Sequence, residues 1–275
     1  MQNAAPVSSG SVVSMWRYPV KSMMGEELNA ADVTERGVLG DRTYAIVDRS
    51  NGMVASAKNP RKWASLFDCR AAFLEPPSAG GRMPPARITL PNGATVTSGQ
   101  ADINQVLSDL FGREVAFAEA APQTPSLEEY WPDMEGLAHR ETVTDESMPP
   151  GTFFDSAVIH LLTTSTIERL RELYPQGRFE VRRFRPNIVV EPSAGKKNFV
   201  ENDWVGHTLL IGDEVRLSIT GDCFRCVMTT LPQGDLPKDP GILRTAAQHN
   251  NVSVGVYAAV LRGGTVRRGD PVRLD

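Results

Sequence analysis

The chain has 275 residues, of which 41% are hydrophobic and 23% are charged, and its formal net charge is −4. These values are typical of a globular protein that buries a sizeable core in one or two domains, and they give no general case for binding to nucleic acid or to a membrane surface. No apolar stretch approaches the roughly 18–20 residues that span a bilayer, and residues 1–10 lack the basic and apolar regions of a signal peptide. Because three cysteines are too few for a disulfide scaffold, we expect a cytoplasmic protein.

The first 120 residues predict short strands joined by turns. The pairs Asn51-Gly52 and Asn92-Gly93 indicate two hairpin turns. One helix is predicted at residues 101–111, where four apolar residues recur at helical spacing before Gly112. The predicted strands are residues 11–16, 43–47, 53–55, 87–90, 94–97 and 114–117.

A second unit is predicted after a linker at residues 120–125, which are rich in alanine and proline. Residues 127–131 are interpreted as a surface or interdomain contact, and residues 131–151 as a loop. A helix is predicted at residues 165–174, because Ser165-Thr166-Ile167-Glu168 fits the capping-box pattern. The predicted strands are residues 157–162, 187–190, 207–211, 214–219, 252–261, 265–267 and 271–274.

Many short strands and few helices indicate a mainly β (α+β) fold. We predict an N-terminal β-barrel-like domain at residues 11–120. We predict a second β-barrel domain with a few helices at residues 126–275.

Cys223 and Cys226 lie in one short segment after a predicted strand, with Arg225 between them. A neighbouring cation lowers the pKa of a thiol because it favours the thiolate. The residues leave four interpretations open: a metal ligand, a redox pair, a nucleophile, or two small buried side chains. A zinc site requires about four ligands, and Cys69 and the four histidines form no second ligand pair in the sequence. A thioredoxin-like pair requires a following helix, whereas residues 227–230 are predicted to be extended.

Cationic and hydroxyl side chains recur at the predicted turns, where they could bind an anion. Arginine suits bidentate binding of phosphate or carboxylate, and the start of a helix presents free N–H groups. Each group alone fits a solvated charge or an ordinary helix cap, but together they support the hypothesis of a bound anionic cofactor. The groups are Lys21, Ser22, Arg42, Thr163, Thr164, Ser165, Arg182, Arg183 and Arg185.

These motifs resemble those of one protein family. Residues 15–22, followed by Gly40-Asp41-Arg42, resemble the N-terminal β-barrel domain that precedes a MOSC domain. Residues 183–190 and Cys223-x-x-Cys226 with Thr229-Thr230 resemble the MOSC domain, which is named for the C-terminal domain of molybdenum cofactor sulfurases. The resemblance extends over nearly the whole chain. The family includes two-domain molybdoenzymes such as the mitochondrial amidoxime-reducing component and its bacterial counterparts.

The resemblance implies a molybdenum cofactor, a pyranopterin whose dithiolene binds Mo, with the Cys226 thiolate as a further ligand to the metal. It implies a reductase of N-hydroxylated compounds such as amidoximes, hydroxylamines and N-hydroxylated bases. Asp222 adjoins the ligand segment and is a candidate proton donor, so Cys226 and Asp222 are the catalytic candidates. Cys223 is left without assigned chemistry. The cofactor-binding positions that the resemblance implies are Lys21, Ser22, Arg42, Thr163, Thr164, Ser165, Arg183, Arg185, Asn187 and Cys226.

Two features of some relatives are not expected here: a C-terminal iron–sulfur domain and an N-terminal membrane anchor. We therefore expect electrons from a separate protein of the ferredoxin, flavoprotein or cytochrome type. A second hypothesis is a protein that stores or delivers the molybdenum cofactor, or its sulfur, without catalysis. A third is a metal-free protein in which Cys223 and Cys226 act as a redox pair.

Overall fold

This computed structural model describes residues 8–135, 139–193 and 197–275, which contain eighteen strands and four α-helices. The first eleven strands are β1 (Ser8–Arg17), β2 (Glu26–Leu28), β3 (Ala30–Thr34), β4 (Gly37–Val38), β5 (Ala45–Asp48), β6 (Arg70–Phe73), β7 (Ala86–Thr89), β8 (Thr95–Thr97), β9 (Val115–Ala118), β10 (Ser126–Trp131) and β11 (Thr142–Ser147). The other seven are β12 (Ile159–Thr163), β13 (Ile188–Pro192), β14 (Thr208–Ile211), β15 (Val215–Phe224), β16 (Ser253–Arg262), β17 (Gly264–Arg267) and β18 (Pro271–Leu274). The helices are α1 (Ile103–Phe111), α2 (Thr164–Leu173), α3 (Val181–Phe184) and α4 (Gly241–Asn250).

Seven strands form a closed barrel in the order β1, β13, β12, β16, β15, β14 and β18, and β18 pairs with β1. Neighbouring strands are antiparallel except for the parallel pair β12 and β13. Apolar side chains alternate along the strands and fill the barrel, as Leu217, Ile219 and Val256 do. The predicted mainly β fold is therefore confirmed.

The N-terminal unit has its own core, which includes Met23, Tyr44, Trp63 and Leu107. Small sheets surround it: β5 with β9, and β6 with β7 and β8. The segment just after Cys226 joins this core through buried side chains of residues 227, 228 and 231. The Cys226 segment therefore lies where the N-terminal core meets the barrel.

The two ends of the chain exchange strands. β1 comes first in the sequence, yet it lies in the barrel between β13 and β18. In return, β17 pairs with β3 of the N-terminal unit, through Val266 opposite Ala31. The strand predicted at residues 265–267 is β17. None of the helices in the described ranges has the length and apolar character needed to cross a membrane.

Several local predictions are confirmed. β7 and β8 form the predicted hairpin, and Gly93 at its turn has a φ of 83°. Helix α1 ends at Gly112, whose φ of 64° places it in the left-handed region that favours glycine.

Three local predictions are wrong. The loop predicted at residues 131–151 contains β11, which pairs with β10 in a hairpin. Helix α2 is capped by Thr163, whose Oγ1 accepts a hydrogen bond from the Thr166 N–H at 3.2 Å, because β12 runs directly into the helix. Ser165 lies inside that helix and is not its capping residue. Residues 227–230 form a 3-10 helix, because the Thr229 and Thr230 hydroxyls donate back to carbonyls three residues earlier. Helix α4 was not predicted.

Candidate active site

A cavity of about 550 Å³ lies where the N-terminal unit meets the barrel. Both units line it, together with the β10–β11 hairpin. Six of the predicted site residues face this cavity: Lys21, Ser22, Arg42, Arg185, Asn187 and Cys226.

Two lysines, buried Lys21 and half-buried Lys58, line one side of the cavity. The Lys21 Nζ donates to the Phe153 carbonyl at 2.9 Å and pairs with the Asp155 carboxylate. The Lys58 Nζ lies 2.8 Å from Glu129 Oε2 and 3.7 Å from Asp155 Oδ2. Burial lowers the pKa of Lys21 despite Asp155, whereas the charges of Asp155 and Glu129 overcome burial and raise the pKa of Lys58. Lys58 therefore stays protonated at neutral pH.

Two arginines lie over the ring of buried Tyr18. Their guanidinium carbons are 4.6 Å (Arg42) and 4.1 Å (Arg185) from the ring centroid, within cation–π range. Arg185 also donates from Nη1 to the Met23 carbonyl at 2.7 Å. Burial and the charge of Arg42 lower the pKa of Arg185 to about 10, so the side chain remains charged at neutral pH. The cavity is therefore lined with cations on this side as well.

Backbone strain concentrates around the cavity. In the described ranges, six non-glycine residues have a positive φ, and five of them line the cavity. The left-handed region is costly for residues other than glycine, above all for a β-branched residue. Such strain gathers at binding and catalytic sites, where the surrounding structure holds it. The five residues are Ser22 (φ 63°), Arg42 (46°), Arg185 (53°), Asn251 (47°) and Val252 (66°).

Cys226 is half-buried, and it lines the cavity directly before the 3-10 helix. Burial and the Glu129 carboxylate raise the pKa of the Cys226 thiol to about 11, although Lys58 and Arg225 favour the thiolate. A metal ion that binds this sulfur would displace its proton. The cations then stabilise the thiolate that results.

Cys223 lies on the same cavity wall but is almost fully buried. The Arg225 Nη1 donates to Cys223 Sγ at 2.6 Å. Burial opposes ionisation, but the charge of Arg225 and the neighbouring His160 lower the pKa of the Cys223 thiol to about 6. The arginine between the two cysteines therefore acts mainly on Cys223, whereas the pKa of Cys226 is raised.

Asn187 joins the barrel to the arginine side of the cavity. Its Nδ2 donates to Asp41 Oδ2 at 2.8 Å, and its Oδ1 accepts from the His160 backbone N–H at 3.1 Å. Asp41 in turn pairs with Arg42. Asn187 therefore orients Arg42 through a shared carboxylate.

Arg183 does not line the cavity. Its buried guanidinium donates to four backbone carbonyls at 2.8–3.2 Å, those of Arg178, Thr229, Leu231 and Pro237. Two of these carbonyls belong to the segment after Cys226. The structure thus gives Arg183 a bracing role, and its assignment as a cofactor contact stays a prediction.

The start of helix α2 is also turned away from the cavity. The Thr163 and Thr166 hydroxyls donate to Glu201 Oε2 at 2.6 and 2.7 Å, and burial raises the pKa of this carboxyl group. The Ser165 hydroxyl donates to the Asn198 carbonyl at 2.7 Å. Asp222, next to Cys223 on β15, does not line the cavity either. The predicted roles of Thr163, Thr164, Ser165 and Asp222 stay predictions.

Sequence reasoning missed several cavity residues. Each is a single polar or aromatic residue with no motif around it: two lie in loops, three lie on the β10–β11 hairpin, and one lies on barrel strand β16. The hairpin that carries three of them was predicted as a contact surface and a loop. They are Lys58, Glu129, Trp131, Glu146, Asp155 and Tyr257.

Two family descriptions match the chain: the MOSC N-terminal beta barrel domain at residues 9–66 and the MOSC domain at residues 149–273. The chain is 26% identical to mitochondrial amidoxime reducing component 2 of Rattus norvegicus, over 96% of this chain and 82% of that protein. It is 24% identical to mitochondrial amidoxime-reducing component 1 of Homo sapiens, over 96% of this chain and 83% of that protein. The molybdenum cofactor sulfurase of Homo sapiens is 23% identical over 93% of this chain, which corresponds to 31% of that protein.

Solved structures give a similar but weaker match. The YuaD protein of Bacillus subtilis aligns with a TM-score of 0.48 at 12% identity, over 96% of this chain and 94% of that chain. The YiiM protein of Geobacillus stearothermophilus aligns with a TM-score of 0.33 at 19% identity, over 43% of this chain and 54% of that chain. From its two family matches, the chain belongs to the MOSC-domain proteins that carry the MOSC N-terminal beta barrel domain.

Proposed function

We propose that this protein is a molybdenum-cofactor-dependent reductase of N-hydroxylated compounds such as amidoximes, hydroxylamines and N-hydroxylated bases. The observation that carries the proposal is the cavity that the Cys226 thiol lines together with buried Lys21 and Arg185 and half-buried Arg42 and Lys58. The similarity to amidoxime reducing components over 96% of the chain supports the reaction class. We propose that electrons come from a separate ferredoxin, flavoprotein or cytochrome.

The chemistry of the cavity fits this cofactor. In the described part of the chain, no group of three or more His, Cys, Asp or Glu side chains is arranged to hold a metal ion. A metal in this cavity must therefore bring most of its ligands with it, as the dithiolene of a pyranopterin does. A single thiolate is a suitable protein ligand for a metal that prefers sulfur. The cations Lys21, Arg42 and Arg185 complement the phosphate of the pterin.

The residues that line the cavity would have separate roles toward the cofactor. When bound, the cofactor supplies the two-electron chemistry that removes the oxygen of an N–OH group. Cys226 Sγ would bind the metal as a thiolate, and the neighbouring Lys58 would offset its negative charge. Lys21, Arg42 and Arg185 would hold the anionic part of the cofactor.

Water release on reduction of an N–OH group requires protons. Asp222 remains our proposed donor from the sequence, but its side chain does not line the cavity. Tyr257 does line the cavity, and the neighbouring Cys223 and burial raise the pKa of its hydroxyl group, so this group keeps its proton at neutral pH. Activity of the Asp222→Asn and Tyr257→Phe variants compares the two donors directly.

Turnover tests the proposed function. Protein from a host that makes the cofactor should reduce benzamidoxime to benzamidine with reduced viologen as the electron donor, and the metal-free protein should not. The Lys21→Met variant should lose most of this activity, because one buried cation of the cofactor wall is removed. A matched control is Lys238→Met, which changes an exposed lysine outside the cavity.

A second candidate is a carrier of the cofactor or its sulfur. The similarity to part of a molybdenum cofactor sulfurase favours it. A carrier would contain the metal but fail to turn over N-hydroxylated compounds with viologen. It would instead activate a cofactor-free molybdoenzyme when the two are mixed.

The cellular location stays a proposal. We propose a cytoplasmic protein, because its three cysteines are all free thiols, as expected in a reducing compartment. Localisation of the tagged full chain would test this.

A further inference from the structure

One carboxylate on the cavity wall has no cationic partner in the ranges that the structure describes. Three carboxylates line the cavity, and both Asp155 and Glu129 pair with lysines. The third, Glu146, forms no salt bridge within the described residues. Its Oε1 accepts a hydrogen bond from Thr144 Oγ1 at 2.8 Å. Among the described residues, Glu146 is thus the one carboxylate of the cavity lining without a salt bridge to a cation.

The β10–β11 hairpin aims this carboxylate into the cavity. Glu129 lies opposite Thr144 in the register, and Trp131 lies opposite Thr142, so all four side chains share one face with Glu146. The Trp131 Nε1 donates to Thr144 Oγ1 at 2.8 Å, and that hydroxyl group donates to Glu146. The indole and the carboxylate are therefore linked through one hydroxyl group. The neighbouring Asp145 lies on the opposite face of the hairpin.

Two aromatic side chains accompany the carboxylate. The Trp131 ring is half-buried and is packed edge-on by His139 at 5.0 Å between centroids. Phe224, at the end of β15, also lines the cavity and is 65% exposed. Pockets that bind small molecules are lined mainly by apolar and aromatic side chains with a few placed polar groups. The cavity lining therefore combines aromatic surface with a carboxylate that has no salt-bridge partner in the described part of the chain.

The surroundings of the Glu146 carboxylate are unsuited to the anionic groups of the cofactor. A carboxylate repels the phosphate and thiolate groups that the cationic wall attracts. A planar cation suits it, because a guanidinium or amidinium group bonds to a carboxylate with two parallel N–H donors and stacks on aromatic rings.

We infer that Glu146, with Trp131 and Phe224, selects substrates that carry a planar cation attached to an apolar or aromatic group. The inference rests on the proposed function for its substrates: it predicts that positively charged N-hydroxyguanidines are preferred over neutral amidoximes and hydroxylamines. Binding of the cation itself does not depend on turnover. Glu146 is thus assigned as a specificity-determining residue of the cavity.

Calorimetric titration of the wild-type protein with two ligands of equal shape tests the inference. Phenylguanidinium is planar and charged, and phenylurea is its neutral counterpart. We expect phenylguanidinium to bind about tenfold more tightly (about 1.4 kcal/mol), because a carboxylate forms stronger hydrogen bonds with a charged donor than with a neutral one. Equal affinity for the two ligands would overturn the inference, and this comparison needs no variant.

Three variants locate the effect. Glu146→Gln should remove the preference for the charged ligand, and Asp145→Asn, on the other face of the hairpin, should retain it. Trp131→Ala should weaken both ligands, because it removes aromatic surface and no charge. A preference that persists in Glu146→Gln would place the cation elsewhere and refute the assignment.

Turnover separates this inference from the proposed function. If the wild type binds phenylguanidinium selectively but reduces no N-hydroxylated compound, the reductase proposal fails and the cation site stands. If it reduces N-hydroxyguanidines and amidoximes equally well and Glu146→Gln changes neither kcat/KM value, the cation site fails and the reductase proposal stands.

Discussion

Cys223 and Cys226 lie three residues apart and line one cavity, yet their surroundings shift the pKa values of the two thiols in opposite directions. Cys223 is almost fully buried and accepts a hydrogen bond from Arg225, whose charge lowers the pKa of this thiol to about 6 although burial opposes it. Cys226 is half-buried beside Glu129, and its thiol keeps its proton until about pH 11. The sulfur that ionises readily is thus the one that is less accessible. A low thiol pKa therefore does not identify a metal ligand, since a metal can deprotonate an accessible neutral thiol.

The largest effect is expected from removing the accessible sulfur. Cys226→Ser should lose nearly all bound molybdenum, whereas Cys223→Ser should retain it, because only Cys226 is proposed as the ligand. Elemental analysis of protein from a cofactor-competent host measures this, against about one Mo per wild-type chain, as expected for a single thiolate ligand. Full molybdenum content in Cys226→Ser, or equal losses in both variants, would contradict the distinction between the two thiols.

A smaller effect is expected at Cys223 when its cation is removed. Arg225→Met should raise the pKa of the Cys223 thiol, because the charge that overcomes burial is gone. In metal-free protein the thiolate absorbance near 240 nm at pH 7 should fall about twofold or more, since a close opposite charge lowers the pKa of an acidic group by roughly 1–3. Arg216→Met changes an exposed arginine on the same strand and should leave the absorbance unchanged. An equal fall in the absorbance of Arg216→Met would show that any loss of positive charge has this effect, and it would contradict the specific role of Arg225.

A change in the opposite direction is expected at Cys226. Glu129→Gln should lower the pKa of the Cys226 thiol, because a carboxylate that disfavours the thiolate is removed while Lys58 remains. Alkylation of metal-free protein by iodoacetamide at pH 8 should become about threefold to tenfold faster, since the thiolate is the nucleophile. Glu128→Gln, whose side chain pairs with Lys62, is the matched control and should react like the wild type. A slower reaction of Glu129→Gln would reverse the proposed role of this carboxylate.

The smallest effect concerns the carboxylate that holds the lysines of the cavity. Lys21 and Lys58 depress the pKa of Asp155 in the folded protein below its unfolded value, although burial opposes this. Its contribution to stability is therefore present above about pH 4, the unfolded pKa, and is lost as the pH falls further. Asp155→Asn should lower the Tm at pH 7 by about 2–4 °C, the shift expected for about 1 kcal/mol in a domain of this size. The difference should shrink at pH 3. A Tm difference that does not change with pH would contradict the charge-based explanation.

The sequence predicted the regular parts of the fold well, because alternation and Asn-Gly turns are local signals. The β7–β8 hairpin and helix α1 are examples. β11 was missed because all but two of its side chains are exposed, so no apolar alternation marks it. The cap of α2 was misplaced by two residues, because Thr163 ends a strand and begins a helix at the same position.

The site was predicted where short motifs carry it and missed where lone residues do. Lys21, Arg42, Arg185 and Cys226 belong to recognisable segments and do line the cavity. Thr163 and Ser165 carry the same local signal for an anion, but Glu201 and the Asn198 carbonyl, distant in sequence, occupy their hydroxyl groups. A local sequence pattern cannot identify such partners, because they lie more than 30 residues away in the chain.

The exchange of strands between the chain ends limits how the molecule can be divided. A fragment that begins after residue 120 lacks β1, so β13 and β18 would each become an open sheet edge, which favours aggregation. A fragment that ends before the barrel leaves β3 without β17. The MOSC domain and its N-terminal companion are therefore not interchangeable modules in this protein, and grafting either one onto another protein would require carrying the borrowed strand along with it.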